Sequence, residues 1–432
     1  MRARTHGART ALEVGGRTLA YEELDELAAM TARRLAALGV GAGDRVATTL
    51  PAGIDFAALL HAMPRLGAVL VPLNTRLTEA ERRWQIDDSC PRSTVHCPLD
   101  GPEADIELGS SVDPAAPFTL IYTSGTSGTP KPVVHTYANH RASALASAWN
   151  LGVDPDDRWL CVLPLFHVGG LAILIRSAIY GTTAVVHDGF EPDAVRAGLE
   201  AGEITIASFV PTMLHRLRDA GLSEAPALRA ALLGGGPVPR ELLEWAAERG
   251  LPVLQTYGMT ETSSQIATLG AAEALEKTGS AGRPLPTVEL RIGDGGEILV
   301  RGPMVSDTAL AADGWLHTGD RGRLDEDGFL YVEGRLADTI VTGGENVMAA
   351  EVEDALRAHP AVEDAAVAGR PDREWGEVVI AFVVLNGDVG DAELIAHCRE
   401  RLAGYKAPRA IHRVEELPRN AAGKLVRAAL RP

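Results

Sequence analysis

Lysine is nearly absent from this chain. Of its 41 basic side chains only four, Lys131, Lys277, Lys406 and Lys424, are lysine. Where almost every positive charge is written as arginine, a position that stays lysine points to a need for a compact ammonium on a flexible stem. Positive charge as a whole is also short: 58 acidic residues against 41 basic ones leave a formal net charge of −17 over 432 residues. That balance argues against nucleic acid and anionic membrane surfaces as partners, because both are met by an excess of Lys and Arg. Cysteine is scarce as well. Cys90, Cys97, Cys161 and Cys398 are scattered with no C-x-x-C pair, which suggests neither a disulfide framework nor a zinc site and fits a reducing cytoplasm.

Long hydrophobic runs are missing too. The most apolar stretch, 160–175, is interrupted by Pro164 and His167 and ended by Arg176, so it is too short to span a bilayer and no membrane insertion is expected. The first residues lack the apolar core of a signal peptide. What is present is core-forming material. Hydrophobic residues make up 46% of the chain, enough to rule out disorder, and the length calls for two or three domains.

The first three quarters alternate short apolar runs with amphipathic patterns. Leu24, Leu27, Thr31, Leu35 and Leu38 recur at three- and four-residue spacing and predict a helix over 22–38, stopped by Gly39. Strands follow at 46–50, 69–71, 118–122, 159–163, 184–186, 204–207 and 231–233, interleaved with helical patterns such as 56–66. This alternation predicts an α/β fold of helix-covered parallel sheets. From about residue 287 strand-like runs with glycine turns (288–292, 297–300, 329–332) predict a small β-rich subdomain. Beyond Arg335, helices at 351–358 and 392–402 and strands at 365–368 and 378–384 predict a small α+β domain, giving boundaries of 1–335 and 336–432.

Six strings carry chemistry. After the strand at 118–122 come Thr123, Ser124, Gly125, Thr126, Ser127, Gly128, Thr129, Pro130 and Lys131. Hydroxyl donors, close backbone approach at glycines and one point charge suit a polyphosphate, and the spacing is not that of a Walker A loop. Gly234, Gly235, Gly236 and Pro237 end another strand and allow the backbone to lie against a flat ring. Then come Gln255, Thr256, Tyr257, Gly258, Met259, Thr260 and Glu261, whose carboxylate makes sense beside phosphates only with a cation between them, and oxygen ligands suit Mg2+. Asp320 closes a Gly-Trp-Leu-His-Thr-Gly-Asp string, with Arg335 fifteen residues on. Finally Thr342, Gly343, Gly344, Glu345 and Asn346, and the Gly423–Lys424 turn, stand in the C-terminal part.

In this order the strings resemble the adenylate-forming superfamily of acyl-CoA synthetases, luciferases and peptide-synthetase adenylation domains, over essentially the whole chain. The resemblance implies that 123–131 wraps the β- and γ-phosphates of ATP. It places the 234–237 turn and the Tyr257 region against adenine, with Gln255, Thr256, Gly258 and Val332 also in the nucleotide set. Thr260 would meet the α-phosphate and Glu261 would hold Mg2+, while Asp320 would bond the ribose and Arg335 the nucleotide. Lys424 would steer the substrate carboxylate during adenylation. After rotation of a mobile C-terminal domain, Gly343 and Gly344 would assist thioester formation with coenzyme A. Two departures stand out: Pro132 where the family usually has Gly, and Ala337 at the hinge, where it usually has Asp, Lys or Ser. Nine Lys/Arg against three Glu over 399–431 suggest either a solvated face or a dock for the phosphates of CoA.

Residues 157–181, Phe209 to Leu214, and Gln255 with Ser263, Ser264 and Gln265 resemble the o-succinylbenzoate:CoA ligases of menaquinone biosynthesis. This implies o-succinylbenzoate as the acid, with His167, Gly170, Arg176, Gly234, Gly258 and Met259 around it. Arg176, on an otherwise apolar helix, is then expected to face the second carboxylate, the alternative being a structural arginine paired with an internal acid. A ligase for another aromatic or small acid of the benzoate or coumarate type, and a non-catalytic nucleotide-binding relative, remain open, as does a homodimer.

Overall fold

Strand–helix alternation builds two mainly parallel sheets in the first part of the chain. The computed structural model describes residues 5–123, 130–236, 238–342, 345–372, 375–419 and 425–430. It divides the chain into two units: a larger one of Met1–Arg291, Leu299–His317 and Leu324–Tyr331, and a smaller one of Ile292–Ile298, Thr318–Arg323 and Val332–Pro432.

In the larger unit a nine-stranded sheet runs in the order Arg283–Pro284, Ser264–Thr268, Val253–Met259, Ala230–Leu233, Ile206–Phe209, Arg158–Cys161, Thr183–Val186, Thr10–Val14 and Arg17–Ala20. The six strands from Val253–Met259 to Thr10–Val14 are mutually parallel, with antiparallel strands at both edges. A five-stranded sheet follows the order Ser93–Val95, Arg45–Thr48, Val69–Pro72, Pro117–Thr123 and Lys131–Thr136, the last strand antiparallel. One core joins strands and helices through Leu35, Leu59, Leu60, Met63, Leu70, Ile121, Trp159 and Leu171. A second gathers Leu160, Leu199, Phe209, Leu214, Leu233 and Leu242.

Local signals explain the helix ends. Tyr21–Ala37 starts with Glu23 accepting from the Ala20 amide at 2.6 Å, and Gly39 follows its end at φ +81°. Thr78 and Thr136 cap their helices with hydroxyl oxygens. The strand expected at 204–207 lies at Ile206–Phe209, because the Pro192–Glu200 helix closes through Gly202 at φ +73° before pairing with Arg158–Cys161 begins.

A four-stranded sheet of Glu289–Ile292, Glu297–Arg301, Leu316–Leu324 and Leu330–Arg335 has its residues divided between the two units. In the smaller unit Glu345–Met348, Thr339–Thr342, Gly376–Leu385 and Val362–Asp372 pair in that order, and Ala410–Arg413 adds parallel to Gly376–Leu385. Helices Ala349–Arg357 and Asp391–Arg401 bury Val352, Leu356, Leu394 and Cys398 with Val367, Ala381 and Val383 of that sheet. No described helix is long and apolar enough to cross a membrane, and all four cysteines are free thiols.

Candidate active site

The phosphate-loop residues at its two ends are brought together by strand register. Thr123 ends Pro117–Thr123, Lys131 begins Lys131–Thr136, and the two are direct cross-strand partners. The Thr123 hydroxyl donates to the Lys131 carbonyl at 3.3 Å, and the Lys131 side chain is exposed. Pro132 stands opposite Tyr122. Ser124, Gly125, Thr126, Ser127 and Gly128 lie outside the described residues.

Across the large sheet, the carboxyl ends of parallel strands carry the next two strings, the edge at which open α/β sheets bind ligands. Gly234, Gly235 and Gly236 follow Ala230–Leu233, and a side chain on Gly234 would meet the Thr256 Cγ2 at 3.2 Å, so this turn and the Gln255–Met259 string adjoin. Pro237 lies outside the described residues. Gln255 is buried, and its Nε2 has no hydrogen-bond partner among the described residues, an unsatisfied donor beside the glycine turn. Tyr257 and Gly258 flank a bulge in the pairing with Ser264–Thr268. There a Cβ on Gly258 would fall 2.1 Å from the Ser264 carbonyl oxygen, so only glycine fits.

Thr260 and Glu261 sit in a tight turn, Thr260–Thr262, that leads to two non-glycine residues at positive φ, Ser263 at +53° and Ser264 at +111°. Such backbone is strained and persists only where surroundings hold it. Thr262 braces the turn by donating to the Ser264 carbonyl at 2.7 Å and accepting from the Met259 amide at 3.1 Å. The Glu261 carboxylate is half-buried and has no hydrogen-bond or ion-pair partner among the described residues.

His167 precedes the helix Val168–Tyr180, packs edge-on against Phe166 and is pushed down to a pKa of about 4 by burial and then by Arg76, so it is neutral near pH 7. A Cβ on Gly170 would fall 2.5 Å from the carbonyl oxygens of both Leu163 and Pro164, so glycine lets this helix start hard against the preceding turn. Arg176 is eight residues further along the helix than Val168, about 12 Å along its axis, and the structure does not place it beside His167. It is only 3% exposed. Its Nη2 donates to Ser143 Oγ at 2.9 Å and its guanidinium lies 5.8 Å from the centre of the Trp159 ring. Burial lowers its pKa, and no carboxylate among the described residues comes within ion-pair distance. The expected alternative, an arginine paired with an internal acid, is therefore not what the described residues contain.

In the smaller unit Asp320 and Arg335 come together. Arg335 Nε meets Asp320 Oδ1 at 2.8 Å and its Nη1 donates to the Thr318 carbonyl at 3.0 Å. Val332 lies on the strand Leu330–Arg335 and is partly exposed. Ala337 occupies the turn Leu336–Asp338 that follows. Gly343, Gly344 and Lys424 lie outside the described residues. The basic stretch 399–431 is less open than its count suggests: Lys406 pairs with Glu351, Arg413 with Asp391, Arg419 with Asp364, and Arg427 with Asp338 and Glu353. Arg409 instead stacks on Trp375 at 4.3 Å. Sequence reasoning overlooked three buried polar residues behind the Glu261 turn, Thr119, His135 and His140. The available signal was that His135 shares the inward face of its strand with Val133.

Glycine-edged parallel strands, a hydroxyl-rich loop closed by a lysine, and a carboxylate unpaired among the described residues in a strained turn define an adenylate-forming, nucleotide-dependent enzyme. Comparisons agree. A family model described as AMP-binding enzyme matches residues 1–109 and 96–308, and one for the AMP-binding enzyme C-terminal domain matches 351–424. A 2-succinylbenzoate–CoA ligase of Geobacillus kaustophilus is 46% identical over 98% of this chain and 94% of its own. The o-succinylbenzoate CoA synthetase of Bacillus subtilis, solved with the acyl-adenylate intermediate OSB-AMP, is 41% identical over 100% and 97% of the two chains, with a TM-score of 0.95. The same synthetase solved with ATP and magnesium is 41% identical over 99% and 98%, with a TM-score of 0.93. The chain belongs to the AMP-binding enzyme family and, within it, to the 2-succinylbenzoate–CoA ligases.

Proposed function

We propose that this protein activates o-succinylbenzoate with ATP and transfers it to coenzyme A, giving o-succinylbenzoyl-CoA, AMP and pyrophosphate, in the cytoplasm. Its relatives carry that name. Within this chain the observation that carries the reading is Arg176, a buried guanidinium with no carboxylate partner among the described residues. A desolvated charge of this kind costs several kcal/mol unless something compensates it, and an anionic substrate does so. A ligand with two carboxylates offers one for reaction and one for Arg176, directly or through water.

In the first half-reaction the succinyl carboxylate attacks the α-phosphorus of ATP, the bond to the β-phosphate oxygen breaks, and pyrophosphate leaves. Lys131 and the hydroxyls of 123–128 hold the departing phosphates, Thr260 contacts the α-phosphate, and Lys424 steers the attacking anion. Gly234 to Gly236, Thr256 and Tyr257 flank adenine, the unsatisfied Gln255 Nε2 supplies a donor, and Asp320 and Arg335 hold the ribose side. The residues fit magnesium. No described group of three or more His, Cys, Asp or Glu could hold a metal alone, and Glu261 is one hard oxygen donor without a partner among the described residues, which matches an ion held largely by substrate phosphates and water. When bound, Mg2+ neutralises charge on the phosphate oxygens.

In the second half-reaction the C-terminal domain, 336–432, turns about Ala337, removing Lys424 and presenting Gly343 and Gly344. The thiol of CoA attacks the acyl carbon, the bond to the AMP oxygen breaks, and the thiol proton is released. Mass spectrometry of a reaction containing o-succinylbenzoate, ATP, Mg2+ and CoA tests the proposal: a CoA thioester and AMP in equal amounts support it, and ATP left intact contradicts it.

A further inference from the structure

Three separate segments grip the turn that carries Glu261. The Glu261 carbonyl accepts from the Ser306 amide at 2.8 Å, the Ser263 carbonyl accepts from the Ser143 hydroxyl at 2.8 Å, and the Thr260 carbonyl accepts both the Ser263 amide at 3.0 Å and His135 Nε2–H at 2.7 Å. The His135 bond differs from the others because it is the end of a chain. His135 and Thr119 face each other across the Pro117–Thr123 and Lys131–Thr136 pair, with Thr119 Oγ1 3.2 Å from His135 Nδ1. His140, on the helix Tyr137–Leu151, places its Nε2 2.9 Å from the same hydroxyl. All three side chains are at most 3% exposed.

The direction of every proton follows from chemistry. A carbonyl only accepts, so His135 Nε2 carries the hydrogen. Burial holds His135 down to about 4 and His140 well below its ordinary value, so both rings are neutral and His135 Nδ1 is a lone pair. The Thr119 hydroxyl must then donate to Nδ1, which leaves its oxygen to accept from His140 Nε2–H. One polarised line runs from His140 through Thr119 and His135 into the carbonyl next to Glu261. Hydrogen bonds in such a line strengthen one another in a low-dielectric interior. The strain at Ser263 and Ser264 makes the grip necessary, since that turn would relax without it.

We propose that His135, oriented by Thr119 and His140, is a positioning residue for the metal–phosphate site: it fixes the Thr260 carbonyl and thereby aims the Glu261 carboxylate at the cation that accompanies ATP. The inference rests on the nucleotide-site reading above. Ligand-orienting partners of this kind commonly change metal affinity ten- to a hundredfold when removed.

The test is titration calorimetry of ATP binding, once with excess Mg2+ and once with EDTA, on wild type, His135→Leu, His135→Gln and Thr119→Val. Gln keeps a nitrogen donor at the reach of Nε2 and Leu does not. Expected is a tenfold or greater weakening of Mg·ATP binding in His135→Leu, with metal-free ATP changed less than threefold, and recovery to within threefold of wild type in His135→Gln. A folded His135→Leu with unchanged Mg·ATP affinity overturns the proposal, as does equal weakening with and without metal. If His135→Leu does not fold, Thr119→Val decides: a metal-dependent loss of about threefold or more supports the line, and no loss overturns it. Wild type that binds no ATP under either condition refutes the nucleotide-site reading together with this one, whereas normal wild-type binding with insensitive variants refutes this one alone.

Discussion

Replacing Arg176 by Met separates substrate recognition from folding. Met keeps an apolar stem of similar length against Trp159 and removes the charge. On the folding side the wild-type guanidinium is buried without an acid among the described residues, so its removal relieves a desolvation cost, offset by a cation–π contact of about 1 kcal/mol and one hydrogen bond. That bond is cheap to lose, because the Ser143 hydrogen already goes to the Ser263 carbonyl and only an oxygen lone pair is left unfilled. The melting temperature is therefore expected to stay the same or rise. On the substrate side a buried carboxylate loses its partner, at a cost of about 2–4 kcal/mol, or roughly thirtyfold to a thousandfold in kcat/KM for o-succinylbenzoate. The assay is pyrophosphate release with o-succinylbenzoate and with 4-oxo-4-phenylbutanoate, which lacks the ring carboxylate. Wild type should strongly prefer the dicarboxylate, and Arg176→Met should nearly abolish the preference. A folded variant with unchanged kcat and KM for o-succinylbenzoate refutes the reasoning.

Lys424→Ala should suppress adenylation far more than thioester formation from supplied acyl-adenylate, read by separate half-reaction assays, and equal losses would contradict its assigned role. Gly258→Ala should cost about 3 kcal/mol or more by urea denaturation and lower adenylation over tenfold, since its Cβ would fall 2.1 Å from the Ser264 oxygen; a neutral outcome would mean the bulge relaxes freely. His135 also makes stability depend on pH. Its folded pKa, about 4, lies below the ordinary 6.5, so between those values the unfolded chain takes up the proton first. Stability is full above about pH 6.5, falls by up to about 3 kcal/mol as pH drops toward 4, and levels off below. Denaturant titrations of His135→Gln should show a shallower loss over that window, and an identical slope would argue against a buried neutral ring.

Much of the fold was legible because parallel strands buried on both faces are apolar throughout: Ala230–Leu233 and Val69–Pro72 are buried at every position. The antiparallel strands Lys131–Thr136 and Ser264–Thr268 were harder to see. They are short, begin with polar residues and follow directly on motif strings, so their signal reads as loop until the returning partner is known. Arg176 was legible as one charge on an apolar helix, but the lack of a counter-ion among the described residues is a three-dimensional fact. Thr119, His135 and His140 read as ordinary polar residues, because only pairing between strands brings them into line behind Glu261. In the basic stretch at 399–431, Lys406, Arg413, Arg419 and Arg427 pair with acids more than 20 residues away, such as Glu351 and Asp364, which the order of residues alone does not show.

The central claim is the identity of the acid. Pyrophosphate release from ATP and Mg2+ should be measured side by side with o-succinylbenzoate, benzoate and a medium-chain fatty acid at equal concentration. Release with o-succinylbenzoate at least a hundredfold faster than with the other two is the predicted result. Equal or faster release with benzoate or the fatty acid would contradict it.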